Sequence, residues 1–433
     1  MLTDKLSMLG LSALLAVSLA MTACSDDSST GAADPDRDLT VLRSDLEREA
    51  NPQVDANDLA TQVDANTAFA IDLYKAVLVE QSRANLIASP YSVSIALAMT
   101  WAGARGQTET DMAAGLHYEL PQASLHPFFN HIDLALESRG EDAEGQDGEP
   151  FRLRVANSLW GQKDFTFKQP FLDTLALNYG AGLRVLDFIA EPDDSRLTIN
   201  HWVEEKTDER IKNLLPEGSI TPNTRLVLTN AIYFNAAWAA KFDENSTRDG
   251  DFNALDGGAV SVPMMSQMAG FNYTKAGDID AIELPYDGGE VSMVILLPDD
   301  LEAFEARLDT ALLTEIDAGL APAMVDLTMP KFEIESTLPL TRTLQDMGMT
   351  SAFINADFTG MADASLAISD VFHKAFIKLD ENGTEAAAAT AVVVGETSVP
   401  VADVTLTIDR PFLYLIRDVE TGTVIFIGRV VAP

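Results

Sequence analysis

Glu381-Asn-Gly-Thr384-Glu-Ala-Ala-Ala-Ala-Thr390-Ala-Val-Val-Val-Gly-Glu396-Thr-Ser-Val-Pro400 is the stretch on which the reading of this chain turns. Ten uncharged residues, all Ala, Thr, Val or Gly, separate Glu385 from Glu396. Glu and Ala are strong helix formers, so Glu385 to Ala391 taken alone could wind into a helix. Val392-Val393-Val394-Gly395 argues against extending that helix, because β-branched side chains prefer strands. Read as a strand, one face carries Thr384, Ala386, Ala388, Thr390, Val392 and Val394, all small or β-branched and able to slide between neighbouring strands. Nothing bulky blocks that face.

Outward from this segment, strand-like runs rich in Val, Ile, Leu and Phe lie at Arg225–Phe234, Val291–Leu297, Val325–Met329, Phe372–Leu379, Phe412–Ile416 and Val424–Val430. Helical spacing marks 60–79, Tyr91–Gly103, Arg196–Leu215, Leu301–Leu312 and Leu338–Met347. Helices come mostly early and strands mostly late, so the expected class is α+β with large, mostly antiparallel sheets. Glu137–Pro150, ESRGEDAEGQDGEP, reads as an exposed acidic loop.

The chain has 433 residues, with Asp+Glu 67 against Lys+Arg 29, a formal net charge of −38. That charge speaks against binding nucleic acid or an anionic membrane through a basic patch. A hydrophobic content of 47% excludes wholesale disorder. Residues 1–23 have one Lys near the start, an apolar run from Leu6 to Met21 and then small residues, which is the pattern of a secretory signal. Met21-Thr-Ala-Cys24 resembles the lipobox of bacterial lipoproteins, and Cys24 is the one cysteine of the chain, placed where lipidation needs a thiol. Residues 24–60 are expected to be an acidic flexible tether, most polar over Ser25–Asp38. The folded domain is expected over 61–433.

Catalytic apparatus is nearly absent from the sequence. It contains no G-x-S-x-G elbow, no H-E-x-x-H and no phosphate-binding glycine loop. His126 and His131 are five apart, which does not place two metal ligands on one helical face. Asp249-Gly-Asp251-Phe-Asn253 begins like a calcium loop but has Ala254 where the turn needs Gly and Val260 where the metal needs Glu. We expect no metal, no cofactor and no enzymatic activity.

The segment 381–390 is similar, residue for residue, to the hinge of inhibitory serpins, and the likeness runs from about Val63 to the C-terminus. Asn85-Leu-Ile-Ala-Ser89-Pro90-Tyr-Ser92 with Gly103-Ala-Arg-Gly106-Gln-Thr108 resembles the family's early helix pair. Asn200-His-Trp202-Val203-Glu204 and Thr229-Asn230-Ala-Ile-Tyr233-Phe234, with Trp238 and Phe242, resemble its middle. Arg410-Pro-Phe412-Leu-Tyr-Leu-Ile-Arg417 and Ile425-Phe-Ile-Gly428-Arg-Val430 resemble its closing strands.

The resemblance implies a serpin fold with an exposed reactive-centre loop at about 381–403. The hinge would be Glu381, Gly383, Thr384, Glu385, Ala386, Ala387, Ala388, Ala389 and Thr390, and the polar cluster under the central sheet would be Ser89, Ser92, Asn230 and His373. Trp238 would sit where the loop first enters the sheet. The implied activity is inhibition of a serine protease: the enzyme attacks the loop, and the freed segment inserts as a strand before the covalent acyl complex hydrolyses, an established case of strand addition. Family spacing counted from Gly383 puts the reactive bond at Thr397-Ser398. Fourteen residues from Thr384 to Thr397 would span ~46 Å as a strand. The absence of Lys, Arg and aromatic residues between Glu381 and Arg410 points away from trypsin-like enzymes and toward elastase-like or subtilisin-like ones, with a glutamyl-specific protease accommodated by Glu396. The protein is expected to be a monomer, exported to a bacterial envelope and held by its N-terminal lipid, as an outer-membrane lipoprotein or otherwise as a periplasmic or extracellular protein. The alternative is a non-inhibitory serpin that acts as a binding or structural protein.

Overall fold

A computed structural model describes residues 39–145, 148–384 and 401–433. The chain begins with β1 (Thr40–Leu42), α1 (Ala56–Leu78), β2 (Leu86–Ala88), α2 (Pro90–Trp101), α3 (Gly106–Gly115) and α4 (Gln122–Glu137). It continues through β3 (Arg152–Gln162), α5 (Gln169–Tyr179), β4 (Leu183–Leu186), α6 (Pro192–Lys206) and β5 (Leu226–Ala237). Next come β6 (Arg248–Asn253), β7 (Ala259–Ala276), β8 (Ile279–Pro285), β9 (Val291–Pro298), α7 (Leu301–Arg307) and α8 (Thr310–Gly319). The remainder is β10 (Ala321–Pro330), β11 (Phe332–Pro339), α9 (Thr341–Leu344), α10 (Thr350–Phe353), β12 (Asp370–Asp380), β13 (Gly383–Thr384), β14 (Val404–Thr407), β15 (Phe412–Asp418) and β16 (Val424–Val430).

Two sheets carry the fold. One has seven strands in the order β1-β4-β3-β5-β13-β12-β11, the other nine, ordered β14-β10-β7-β8-β9-β15-β16-β2 with β6 on β7. Most pairings are antiparallel; β3–β4, β5–β12 and β10–β14 are parallel. The expected α+β class with large mixed sheets is therefore the observed one.

The seven-stranded sheet is covered on both faces, which is why β5 is a continuous buried run of twelve residues rather than an alternating one. Its even-numbered apolar residues, Leu226, Leu228, Ile232, Phe234 and Ala236, join the main core. Val227 and Ala231 point the other way, into a smaller core shared with Trp160, Trp202 and Phe372 beneath α6. Trp160 and Trp202 meet edge to face at 5.6 Å, and the Arg184 guanidinium lies 4.4 Å over Trp202. On the inner side α2 is buried all round, apolar apart from small hydroxyls, so it threads between the sheets.

The tether read over residues 24–60 ends earlier. Thr40–Leu42 pairs antiparallel with β4. Arg48 donates to Asn130, Asp133 and Glu137 of α4, and Ser44 donates to Asp173 of α5. Helix α1 starts at Ala56, with Asp55 accepting from the Asn57 N–H as its cap. These are polar contacts, which leave no hydrophobic period to read. The loop after α4 is likewise fastened: Arg139 reaches the fully buried Asp418 at 2.6 Å, and Ala143 is buried. The calcium-like stretch at Asp249–Asn253 is strand β6, paired with β7.

Candidate functional site

The central strands β5 and β12 run parallel and pair directly over Val227–Ile232 and Asp370–Ala375. Beyond that they part. The gap is taken by β13, in which Gly383 faces Ala237 and Asp380, and Thr384 faces Ala236 and Leu379. The chain thus makes a seam that is closed along its lower length and holds two residues of an antiparallel third strand at its upper end.

Each residue at that end is fixed by a particular partner. Thr384 is fully buried and its hydroxyl is 2.8 Å from that of Tyr286. The Tyr286 ring stacks on Trp238 with centroids 4.6 Å apart and planes 8° from parallel. Trp238 donates its backbone N–H to the Asn382 carbonyl and its Nε1–H to the Asp380 carbonyl. Gly383 has φ +151°, and a Cβ there would lie 2.1 Å from the Ala236 carbonyl oxygen. Only glycine fits.

Glu381 accepts from the Thr247 hydroxyl at 2.5 Å and from Lys331 Nζ at 3.0 Å. Burial works to raise its carboxyl, but these bonds outweigh it and hold the group below the usual carboxylate range.

Farther down the seam, Asn157 of β3, Asn230 of β5 and His373 of β12 stand in register across three strands. His373 Nε2 accepts the Ser89 N–H at 2.9 Å, so its proton sits on Nδ1 and is directed at Asn230 Oδ1. Asn230 Nδ2 donates to Ser92 Oγ and to Asn157 Oδ1. Asn157 Nδ2 donates to the Ser92 carbonyl at 3.1 Å, and Ser89 Oγ donates to the Ile425 carbonyl at 2.7 Å. Ser89, Ser92, Asn230 and His373 are all buried, so the network exchanges bonds only when the strands move.

Burial pushes the His373 imidazole down to about 3. The unfolded chain therefore binds a proton below pH ~6.5 that the native state refuses. Stability is complete above that pH and is lost as pH falls toward 3, by at most ~1.4 kcal/mol per unit. His126, lowered to about 4 by burial, contributes with the same sign. His373→Ala should flatten the pH dependence of guanidinium unfolding. At neutral pH it should cost about 1–3 kcal/mol for each buried partner it orphans, the Ser89 N–H and Asn230 Oδ1.

The sequence-expected residues Gly383, Thr384, Glu381 and Trp238 thus meet at the upper end of the seam, and Ser89, Ser92, Asn230 and His373 meet on its inner face. Glu385, Ala386, Ala387, Ala388, Ala389, Thr390, Thr397, Ser398 and Cys24 lie outside the described residues. Tyr286, Lys331, Thr247 and Asn157 were not foreseen. Asn157 could have been, since it interrupts the apolar side of Val155-Ala-Asn-Ser-Leu-Trp160. Among the described residues no group of three or more His, Cys, Asp or Glu is placed to hold a metal.

Residues 64–433 match the profile of the family described as Serpin (serine protease inhibitor). The chain is a serpin. It is 38% identical over 377 residues to an uncharacterized serpin-like protein of Thermococcus kodakarensis, covering 86% of this chain and 85% of the relative. It is 36% identical over 383 residues to the leukocyte elastase inhibitor of Equus caballus, covering 85% of this serpin and 98% of that protein. Among solved structures it resembles human thyroxine-binding globulin complexed with thyroxine, with TM-score 0.77 and 30% identity over 87% of this chain and 99% of the other. Among the described residues, no helix is long and apolar enough to cross a membrane.

Proposed function

We propose that this serpin is a suicide-substrate inhibitor of serine proteases, consumed by cleavage of its loop at or near Thr397-Ser398 and by insertion of the freed segment between β5 and β12. The observation that carries the reading is the seated pair Gly383–Thr384, because it sets the register of everything that would follow. If the register of Gly383 and Thr384 were continued downward, Ala386 would come beside Phe234, Thr390 between Asn230 and His373, and Val394 beside Leu226. The inward set is then Thr384, Ala386, Ala388, Thr390, Val392 and Val394, each small or β-branched. Thr390 brings a hydroxyl to the point where the Asn230–His373 bond must open, so the buried amide and imidazole regain a partner.

The target is an elastase-like or subtilisin-like serine protease that accepts small side chains, or a glutamyl-specific one that reads Glu396. Likeness to a leukocyte elastase inhibitor agrees with the first. Likeness to a thyroxine-binding globulin favours the second reading, a serpin that binds without inhibiting. The unobstructed inward face speaks for inhibition. Time-dependent, irreversible loss of activity across a panel of elastase-like, subtilisin-like, glutamyl-specific and trypsin-like proteases tests the reading. Reversible inhibition or none in every case refutes it.

Cys24 is the lipid attachment site after removal of residues 1–23, and the protein is held at a bacterial outer membrane. Acyl chains at one cysteine supply the two anchoring signals that stable attachment needs. Fourteen residues, 25–38, separate it from the described body and at full extension span at most ~50 Å. Cells fed labelled palmitate should label the wild type and not Cys24→Ala, which should leave the membrane fraction; label in both would contradict lipidation at Cys24.

A further inference from the structure

The register of the seven-stranded sheet fixes where the N-terminal segment enters the body. Thr40 of β1 stands opposite Val185 of β4, Val185 opposite Gly161 of β3, and Gly161 opposite Leu226 of β5. The four residues form one row across the sheet, and Leu226 is the first residue of β5. The upper end of the seam, where Gly383 faces Ala237, is eleven residues farther along that strand, a distance of ~36 Å. Strand β1 runs antiparallel to β4, hence toward the upper end, so Leu39 just before it lies at the lower end. There Leu39 packs with Leu186 on the smaller core. Behind β1 the chain is fastened to α4 through Arg48 and to α5 through Ser44, so the point of entry is set by the fold.

We propose that the lower end is the membrane-facing pole of this serpin and that the loop is presented at the pole turned away from the lipid. The inference rests on two readings given above, lipidation at Cys24 and inhibition by loop insertion. The link from Cys24 to Leu39 is the fourteen residues 25–38, which at full extension span at most ~50 Å. The pole that carries the link is the near one, and the hinge at Gly383–Thr384 stands ~36 Å beyond it. The formal net charge of −38 works against the body lying down on an anionic surface. In this orientation the loop meets proteases that arrive from solution before they reach the lipid.

Trapping then has a geometric demand that a soluble inhibitor does not face. Insertion between β5 and β12 draws the cut end of the loop down the seam, toward the pole that carries the anchor. A compact protease of about 230 residues is on the order of 45 Å across, and it has to be received between that pole and the lipid. The link of fourteen residues can span it. A link of six residues, at most ~22 Å long, cannot. The length of 25–38 therefore sets whether the anchored molecule can complete the reaction that the free molecule completes.

The test uses the full, lipidated chain in vesicles of phosphatidylethanolamine and phosphatidylglycerol whose headgroups carry an energy acceptor. A donor dye is placed at the lower end through Glu217→Cys, or Asn223→Cys should that variant not fold, and at the loop pole through Glu244→Cys; all three residues are exposed. The lower-end dye should be quenched several-fold more than the other. Equal quenching, or the reverse order, overturns the orientation. In a second arm residues 29–36 are deleted and covalent complex is measured on vesicles and in detergent. The shortened chain should trap protease in detergent as the wild type does and lose most of its complex on vesicles. Equal trapping in both overturns the demand on the link. Wild type that traps nothing in detergent overturns the inhibitor reading and leaves the orientation to the dyes. Wild type that does not bind the vesicles overturns lipidation and the orientation together.

Discussion

Thr384→Arg should turn the inhibitor into a substrate. Thr384 is fully buried, paired on both sides and hydrogen-bonded to Tyr286. A guanidinium in that place would have to leave water with no carboxylate to receive it, at a cost of several kcal/mol. The variant hinge should therefore leave the seam, and insertion should be slowed by more than ~100-fold, since each 1.4 kcal/mol is a factor of ten. Hydrolysis of the acyl-enzyme then wins. In a titration of protease with inhibitor, the variant should be cleaved in large molar excess with little covalent complex. Wild-type stoichiometry would show that the inward face has been assigned wrongly.

Cleavage of the loop near Thr397 without trapping a protease should raise the melting temperature by on the order of 10 °C or more. Insertion adds a central strand with ladder partners on both sides and buries Val392, Val393 and Val394, each worth roughly 1.5–3 kcal/mol. The direct β5–β12 bonds are exchanged rather than lost, because each strand pairs anew with the insert. Calorimetry of the intact and nicked proteins makes the comparison. An unchanged melting temperature favours the non-inhibitory reading.

What could be read from the sequence follows from how each element is stabilised. The expected bounds Val424–Val430 are the observed ones, because Val424 to Ile427 is a run of apolar and β-branched residues that Arg429, paired with Glu305 in the core, does not end. Of the face read as inward, Thr384 alone lies among the described residues, where it is buried against Tyr286. Strand β3 was not legible, since Arg152 and Arg154 break its apolar run. Arg196–Leu215 was expected to be one helix, but α6 stops at Lys206 because Asp208 and Glu209 both take positive φ. Leu301–Leu312 is two helices, the second capped by Asp309, whose side chain accepts from the Leu312 N–H. Leu338–Met347 begins instead as the end of β11, and its helical part breaks at Gly348, φ +105°. Asn157 and Tyr286 belong to the site only through contacts between elements distant in sequence, which no local pattern reveals.

Cleavage at the loop and closure of the seam around it are expected to trap a protease covalently. Purified protein mixed with an elastase-like or subtilisin-like protease and boiled in SDS tests it directly. A band is expected at the summed mass of the protease and the loop-cleaved inhibitor, absent when the protease nucleophile is blocked beforehand and lost with Thr384→Arg. Complete conversion of the wild type to cleaved chain, with no such band for any protease that cuts between Glu396 and Val399, would contradict it.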